Sequence, residues 1–230
     1  MIKLKLALFK LKNFIIIIRS RLLKKKIKLK YKNIKKNFEK NIESKNFTEK
    51  WFLNNIEIFC YYLPEDLTKS FSYLEIGSYE GLSTLNILLN YSNSKVTAID
   101  LWSQSNINSE SLDVNFNEVE KRFDENLKDY KFNKIKKDSV IALRGLLNKN
   151  VYFDLIYIDG SHNGEDILSD AIESYKLLNI GGIIIFDDVV NANQNISIQS
   201  YKGFEKFCEI YKKNLKILYL KNIAVVKKIK

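Results

Sequence analysis

The chain has 230 residues, 46% of them apolar and 28% charged, which is the composition of a folded domain and not of a disordered segment. Its net charge of +11 sits at one end: residues 1–37 carry 14 Lys and Arg and no Asp or Glu, and the remainder carries 24 basic against 27 acidic residues. Two cysteines, Cys60 and Cys208, exclude a disulfide scaffold and a Cys-rich zinc site; the single histidine, His162, excludes any centre needing two His ligands.

Residues 1–45 read as a basic arm, ahead of a domain over 46–230. Three readings of the arm stand side by side. It is a solvated, partly helical tail; or residues 1–36 make a peripheral contact with an anionic membrane, because Leu and Ile alternate there with Lys and Arg; or it binds nucleic acid. Only Phe9, Phe14 and Tyr31 offer stacking surfaces for the last, and the acidic body disfavours it. The longest apolar run, Phe14–Ile18, is far too short to span a bilayer, and no signal-peptide pattern is present. The expected compartment is the cytoplasm, with the inner membrane face as the site of any peripheral contact.

From residue 47 the pattern alternates. Trp51–Leu63 has helical spacing and stops at Pro64. Strand 1 is expected over Phe71–Ile76, a helix over Leu82–Leu89, strand 2 over Lys95–Ile99 and a helix over Phe116–Leu127. Strand 3 follows over Phe132–Ile135, then a helix over Val140–Leu147, and strand 4 over Phe153–Ile158. A helix over Glu165–Leu178 is expected to end at Gly181-Gly182, with strand 5 over Ile183–Phe186. A helix over Tyr201–Tyr211 precedes two strands, Leu215–Leu220 and Ala224–Val226. Strands apolar throughout, alternating with helices, imply a mostly parallel α/β sheet covered on both faces. The link at Lys221-Asn222 is too short for a parallel crossover, so the last two strands pair antiparallel.

In such a sheet, ligands bind beyond the carboxyl ends of the strands. Strand 1 runs into Glu75-Ile-Gly77-Ser78-Tyr79-Glu-Gly81-Leu-Ser83, a glycine turn that lacks both the dinucleotide fingerprint and a Walker lysine, and so suits a nucleoside without a pyrophosphate. Strand 2 ends in Asp100, a carboxylate able to accept both ribose hydroxyls. Asp138-Ser139 after strand 3 can meet an adenine edge. Strand 4 ends Asp159-Gly-Ser-His162 and strand 5 ends Asp187-Asp188. These carboxylates suit a hard divalent cation such as Mg²⁺; helix capping is the plainer reading, above all for Asp188. His162 has the chemistry of a general base at neutral pH, or simply hydrogen-bonds its loop.

The stretches Leu74–Thr84, Thr97–Asp100, Phe153–His162 and Gly181–Asp188 together resemble the class I S-adenosylmethionine-dependent methyltransferases, specifically the methyltransferase 24 group, over about residues 47–228. The resemblance implies a Rossmann-like seven-stranded, mostly parallel sheet of order 3-2-1-4-5-7-6, strand 7 antiparallel, with helices on both faces. It implies that Glu75, Gly77 and Ser83 surround the methionine end of the cofactor, with Ser78, Tyr79 and Gly81 in the same loop, and that Asp100 and its neighbour Leu101 hold the ribose. Catechol O-methyltransferase has a similar Gly-x-Tyr-x-Gly-x-Ser loop; by similarity, Asp159, Asp187 and Asp188 would bind Mg²⁺, and His162 takes the position of that enzyme's lysine base.

The activity expected is therefore metal-assisted O-methylation of a hydroxyl on a sugar, glycan or small metabolite, with Asp159 and His162 at the reacting centre. A nucleic-acid methyltransferase using the arm, and a non-enzymatic membrane-associated cofactor-binding protein, are the alternatives. The polar loops Ser103–Val114 and Val189–Ser200 are expected to shape the acceptor site.

Overall fold

The computed structural model describes residues 2–103, 115–190 and 197–230. Its sheet has seven strands: β1 Ser72–Ile76, β2 Lys95–Asp100, β3 Asn133–Lys136, β4 Phe153–Ile158, β5 Leu178–Phe186, β6 Leu215–Leu220 and β7 Ala224–Lys228. Their order is β3-β2-β1-β4-β5-β7-β6. All pairings are parallel except those of β7, which is antiparallel to both β5 and β6. The order and the antiparallel strand are those the sequence predicts.

The alternation of side chains along each strand divides the core in two. Tyr73, Leu155, Tyr157 and Ile185 face one cluster. Helices α4 Ile56–Tyr61, α5 Leu82–Asn90 and α6 Phe116–Leu127 cover it, through Phe59, Leu85 and Phe123 among others. Leu74, Ile76, Ile156, Ile158 and Phe186 face the opposite cluster. There α7 Ser139–Asn148, α8 Gly164–Leu177 and α9 Ser197–Ile210 pack through Leu143, Ala171 and Phe204. Cys60 lies in the first cluster, where burial pushes its thiol up to about 12, so it packs as a neutral group.

Three elements depart from the sequence reading. Trp51–Leu63 is not one helix: a 3-10 turn at Trp51–Asn54 is followed by α4, with the break at Asn55. The buried Asn55 side chain donates to a carboxylate at the end of β5, described below. Gly181-Gly182 does not end the preceding helix, which stops at Leu177; both glycines lie inside β5. The register against β4 shifts there, from Phe153↔Leu178 to Leu155↔Ile183. A Cβ on Gly182 would lie 2.8 Å from the Asn179 carbonyl oxygen and 3.0 Å from that of Asp154, so the bulge itself needs the glycine.

The third departure is the basic segment. It is helical, as α1 Ile2–Lys12, α2 Phe14–Lys30 and α3 Ile34–Asn41, but it is not a free tail. Phe9 is buried against Tyr201 and Phe204 at ring separations of 5.2 and 6.4 Å. Ile27, Phe38 and Ile42 enter the first core cluster. The Ser20 hydroxyl accepts a hydrogen bond from the Leu220 backbone N–H at 2.9 Å and donates to the Ile16 carbonyl. That seals part of edge strand β6, whose open N–H groups would otherwise invite pairing with another chain. No helix among the described residues is long and apolar enough to cross a membrane.

Candidate active site

The parallel ladder continues one step past each strand and sets four residues in a row. Gly77 N–H donates to the Ile99 carbonyl, Asp159 N–H to that of Ile76 and Asp187 N–H to that of Ile158, all within 2.9–3.0 Å. Gly77, Asp100, Asp159 and Asp187 thereby line the carboxyl edge of β2-β1-β4-β5, where β-strand order reverses around β1 and β4.

The turn after β1 is conformationally forced. Gly77 has φ 85°, and a Cβ on it would sit 2.2 Å from the Asp159 carbonyl oxygen. Gly81, also at φ 85°, opens α5 beneath Phe123 and Leu127. Between them Tyr79 takes φ 47°, and at the end of β2 Trp102 takes φ 42°. Both unusual conformations serve Asp100. One of its carboxylate oxygens accepts from Tyr79 N–H and the other from Trp102 N–H, each at 2.8 Å, while the Trp102 indole donates to the Tyr79 carbonyl. Asp100 thus ties the β1 turn to the end of β2. It stays partly exposed and, when ionised, accepts without donating, which fits the hydroxyl donors of a ribose. Leu101 beside it is exposed.

Glu75 sits lower. It is fully buried and accepts from the Tyr73 hydroxyl at 3.0 Å, the Thr84 hydroxyl at 2.6 Å and the Ser83 hydroxyl. Burial outweighs these donors and raises its carboxyl to about 7. Ser83, near the start of α5, thus links Glu75 to the helix that follows the glycine turn. Ser78, also buried, hydrogen-bonds the Ile99 carbonyl at 3.4 Å.

At the β4 and β5 ends, Asp159 and Asp187 meet over one hydroxyl. Tyr157 donates to Asp187 at 2.6 Å and lies 3.1 Å from an Asp159 oxygen. A phenol has one proton, so it cannot serve both carboxylates at once. Burial raises both carboxyls, and neighbouring carboxylates raise them further: Asp187 acts on Asp159, and Asp188 on both. Asn55 completes the group by donating to Asp187 at 3.0 Å. Asp188, with φ 47°, turns its carboxylate to the Asn222 amide. The three aspartates therefore do not converge as the sequence implies. The paired oxygens of Asp159 and Asp187 suit a hard cation in donor type, but no three His, Cys, Asp or Glu side chains among the described residues are grouped to hold a metal.

The other expected residues divide. His162 is exposed in the turn after β4, and its backbone carbonyl accepts from Ser200. Asp138 caps α7 through Ile141 N–H, and Ser139 donates to buried Asp170 of α8, so both side chains are engaged locally. The loops expected to shape the acceptor site fall largely at 104–114 and 191–196, outside the described residues. Sequence reasoning missed Asn55 and Tyr157. Tyr157 carried a signal: it stands two residues before Asp159, on the same strand face, as Tyr73 stands before Glu75.

Comparison with known proteins agrees with this geometry. The methyltransferase 24 family model, described as "Methyltransferase domain", matches residues 74–189. Uncharacterized protein R132 of Acanthamoeba polyphaga mimivirus is 24% identical over 137 residues, 56% of this chain and 58% of that protein. The MycE methyltransferase of the mycinamycin biosynthetic pathway, solved with Mg, SAH and mycinamycin VI, superposes with a TM-score of 0.55 at 14% identity, covering 84% of this chain and 54% of MycE. An O-methyltransferase from Bacillus cereus, solved with SAH, gives 0.51 at 20% identity, covering 68% of this chain and 74% of its own. The chain spans little more than half the length of R132 and MycE, and at these identities the structural likeness establishes the fold. Sequence motifs, strand order and a family match over half the chain lead to one assignment: the chain belongs to the methyltransferase 24 family of class I S-adenosylmethionine-dependent methyltransferases.

Proposed function

We propose that the protein methylates a hydroxyl of a sugar, glycan or small hydroxylated metabolite. The observation that carries this reading is the adjacency of the Asp159 and Asp187 carboxylates, bridged by the Tyr157 hydroxyl, to the glycine turn: Asp159 contributes both its carboxyl to the pair and its carbonyl to the packing against Gly77. S-adenosylmethionine supplies the methyl group on an already activated sulfonium, so the protein's task is alignment and deprotonation. Asp100 accepts the ribose hydroxyls. Ser83, backed by Glu75, faces the methionine end. Asp159 and Asp187 hold the acceptor hydroxyl by hydrogen bonds, and His162 takes its proton as the oxygen forms its bond to the methyl carbon and the carbon–sulfur bond breaks.

A divalent cation, Mg²⁺ foremost, extends this reading. Asp159 and Asp187 would hold it, and it would supply charge neutralisation and Lewis acidity there. The repulsion within the carboxylate pair is what supports it.

The test is transfer of a labelled methyl group to a panel of vicinal diols and free glycans, with Mg²⁺ and with chelator. The expected result is O-methylated product, lowered about 100-fold or more in Asp159→Asn and His162→Ala. Full activity in both variants on a true acceptor would overturn the assigned roles.

A further inference from the structure

We infer that α1 and α2 form a docking surface for an anionic lipid leaflet. Helical hydrogen bonding runs on through Asn13, from its N–H to the Phe9 carbonyl and from Ile17 N–H to its own carbonyl, so the two helices present one continuous surface. Ser20 and Ile27, with partly buried Ile16 and Leu23, form the stripe that packs on the body. A second apolar stripe lies on the other side and is bare. Leu8, Leu11, Ile15, Ile18, Leu22 and Leu29 recur at spacings of three, four and seven and are between 38% and 76% exposed.

What flanks this ridge decides its partner. Arg19 and Lys26 lie on one side, Arg21 and Lys28 on the other, and Lys25 falls within the stripe; all five are exposed and form no ion pair with a described residue. The ridge has the heptad spacing of a coiled coil, but a second copy would set basic flank against basic flank, with no acid within residues 1–37 to relieve it. A nucleic acid would satisfy the charges and leave six Leu and Ile side chains without a counterpart. A leaflet with anionic headgroups satisfies both: the aliphatic ridge enters the headgroup–acyl boundary while Lys and Arg remain among the headgroups. The contact lies along the helices and spans nothing.

The experiment is co-sedimentation of the full chain with vesicles of phosphatidylcholine alone and of phosphatidylcholine with about a third phosphatidylserine. The expected result is binding to the anionic vesicles, at least tenfold weaker to neutral ones and again weaker in 0.5 M salt. Lys25→Gln/Lys26→Gln/Lys28→Gln should weaken it about fivefold per charge removed. Ile18→Ser/Leu22→Ser/Leu29→Ser, which keeps every charge, should weaken it at least tenfold with helix content unchanged; Leu29→Ser alone serves where the triple variant does not fold. Failure to bind anionic vesicles, or wild-type binding by the apolar variants, would overturn the inference. So would a concentration-dependent dimer that the apolar variants abolish, since a second copy would then cover the ridge.

Discussion

Replacing Glu75 by Gln tests how the carboxyl beneath the turn after β1 is held. Three hydroxyls point at it, which favours the anion, but it is fully buried, which favours the neutral acid. Burial prevails, moving it from 4.5 to about 7. Between these values the folded state binds more protons than the unfolded state, so stability is fullest below pH 4.5 and falls as pH rises toward 7. The whole shift corresponds to about 3 kcal/mol, of which about 2–3 kcal/mol is lost between pH 5 and 8. Glu75→Gln has no charge to bury. Urea unfolding of both proteins at pH 5 and pH 8 gives two stability differences, and subtracting them cancels the other raised carboxyls, such as Asp170 near 7. The variant should gain about 2–3 kcal/mol on the wild type over that interval. A difference that does not change with pH would mean instead that the three hydroxyls hold Glu75 ionised against its burial.

Gly77→Ala should lower stability by about 3 kcal/mol, from the left-handed backbone together with the 2.2 Å approach to the Asp159 carbonyl, measured by denaturant midpoint. Gly160→Ala, whose nearest contact would be an ordinary 3.6 Å, is its control and should change stability by less than about 0.5 kcal/mol. Phe9→Ala should lower it by about 3 kcal/mol through the cavity left beside Tyr201 and Phe204; a loss under about 0.5 kcal/mol would show that α1 does not dock on α9.

The sheet was legible because its strands are apolar runs that stop at polar residues, and a ladder extended one step brings those residues into line. Asp100 and the Gly77 turn were readable for the same reason. Gly181-Gly182 misled because a glycine pair marks either a helix end or a close backbone approach within a strand, and only the register against β4 distinguishes them. The division of labour among Asp159, Asp187 and Asp188 was not readable, since it depends on the Tyr157 hydroxyl and on Asn55, which lies 132 residues from its partner. In the basic segment, charge obscured the buried stripe: Phe9, Ser20 and Ile27 are single residues among lysines, and their burial follows from β6 and α9, which lie about 200 residues further on.

Calorimetric titration of S-adenosylhomocysteine into the folded protein, with and without Mg²⁺, decides whether the carboxyl edge of the sheet binds the cofactor. Saturable one-site binding is expected, weakened at least tenfold by Asp100→Ala, because the carboxylate would accept the ribose hydroxyls and ties Tyr79 to Trp102. Strengthening by Mg²⁺ would add support for a cation on Asp159 and Asp187. Absence of binding by folded protein would contradict the cofactor site, and with it the proposed methyl transfer.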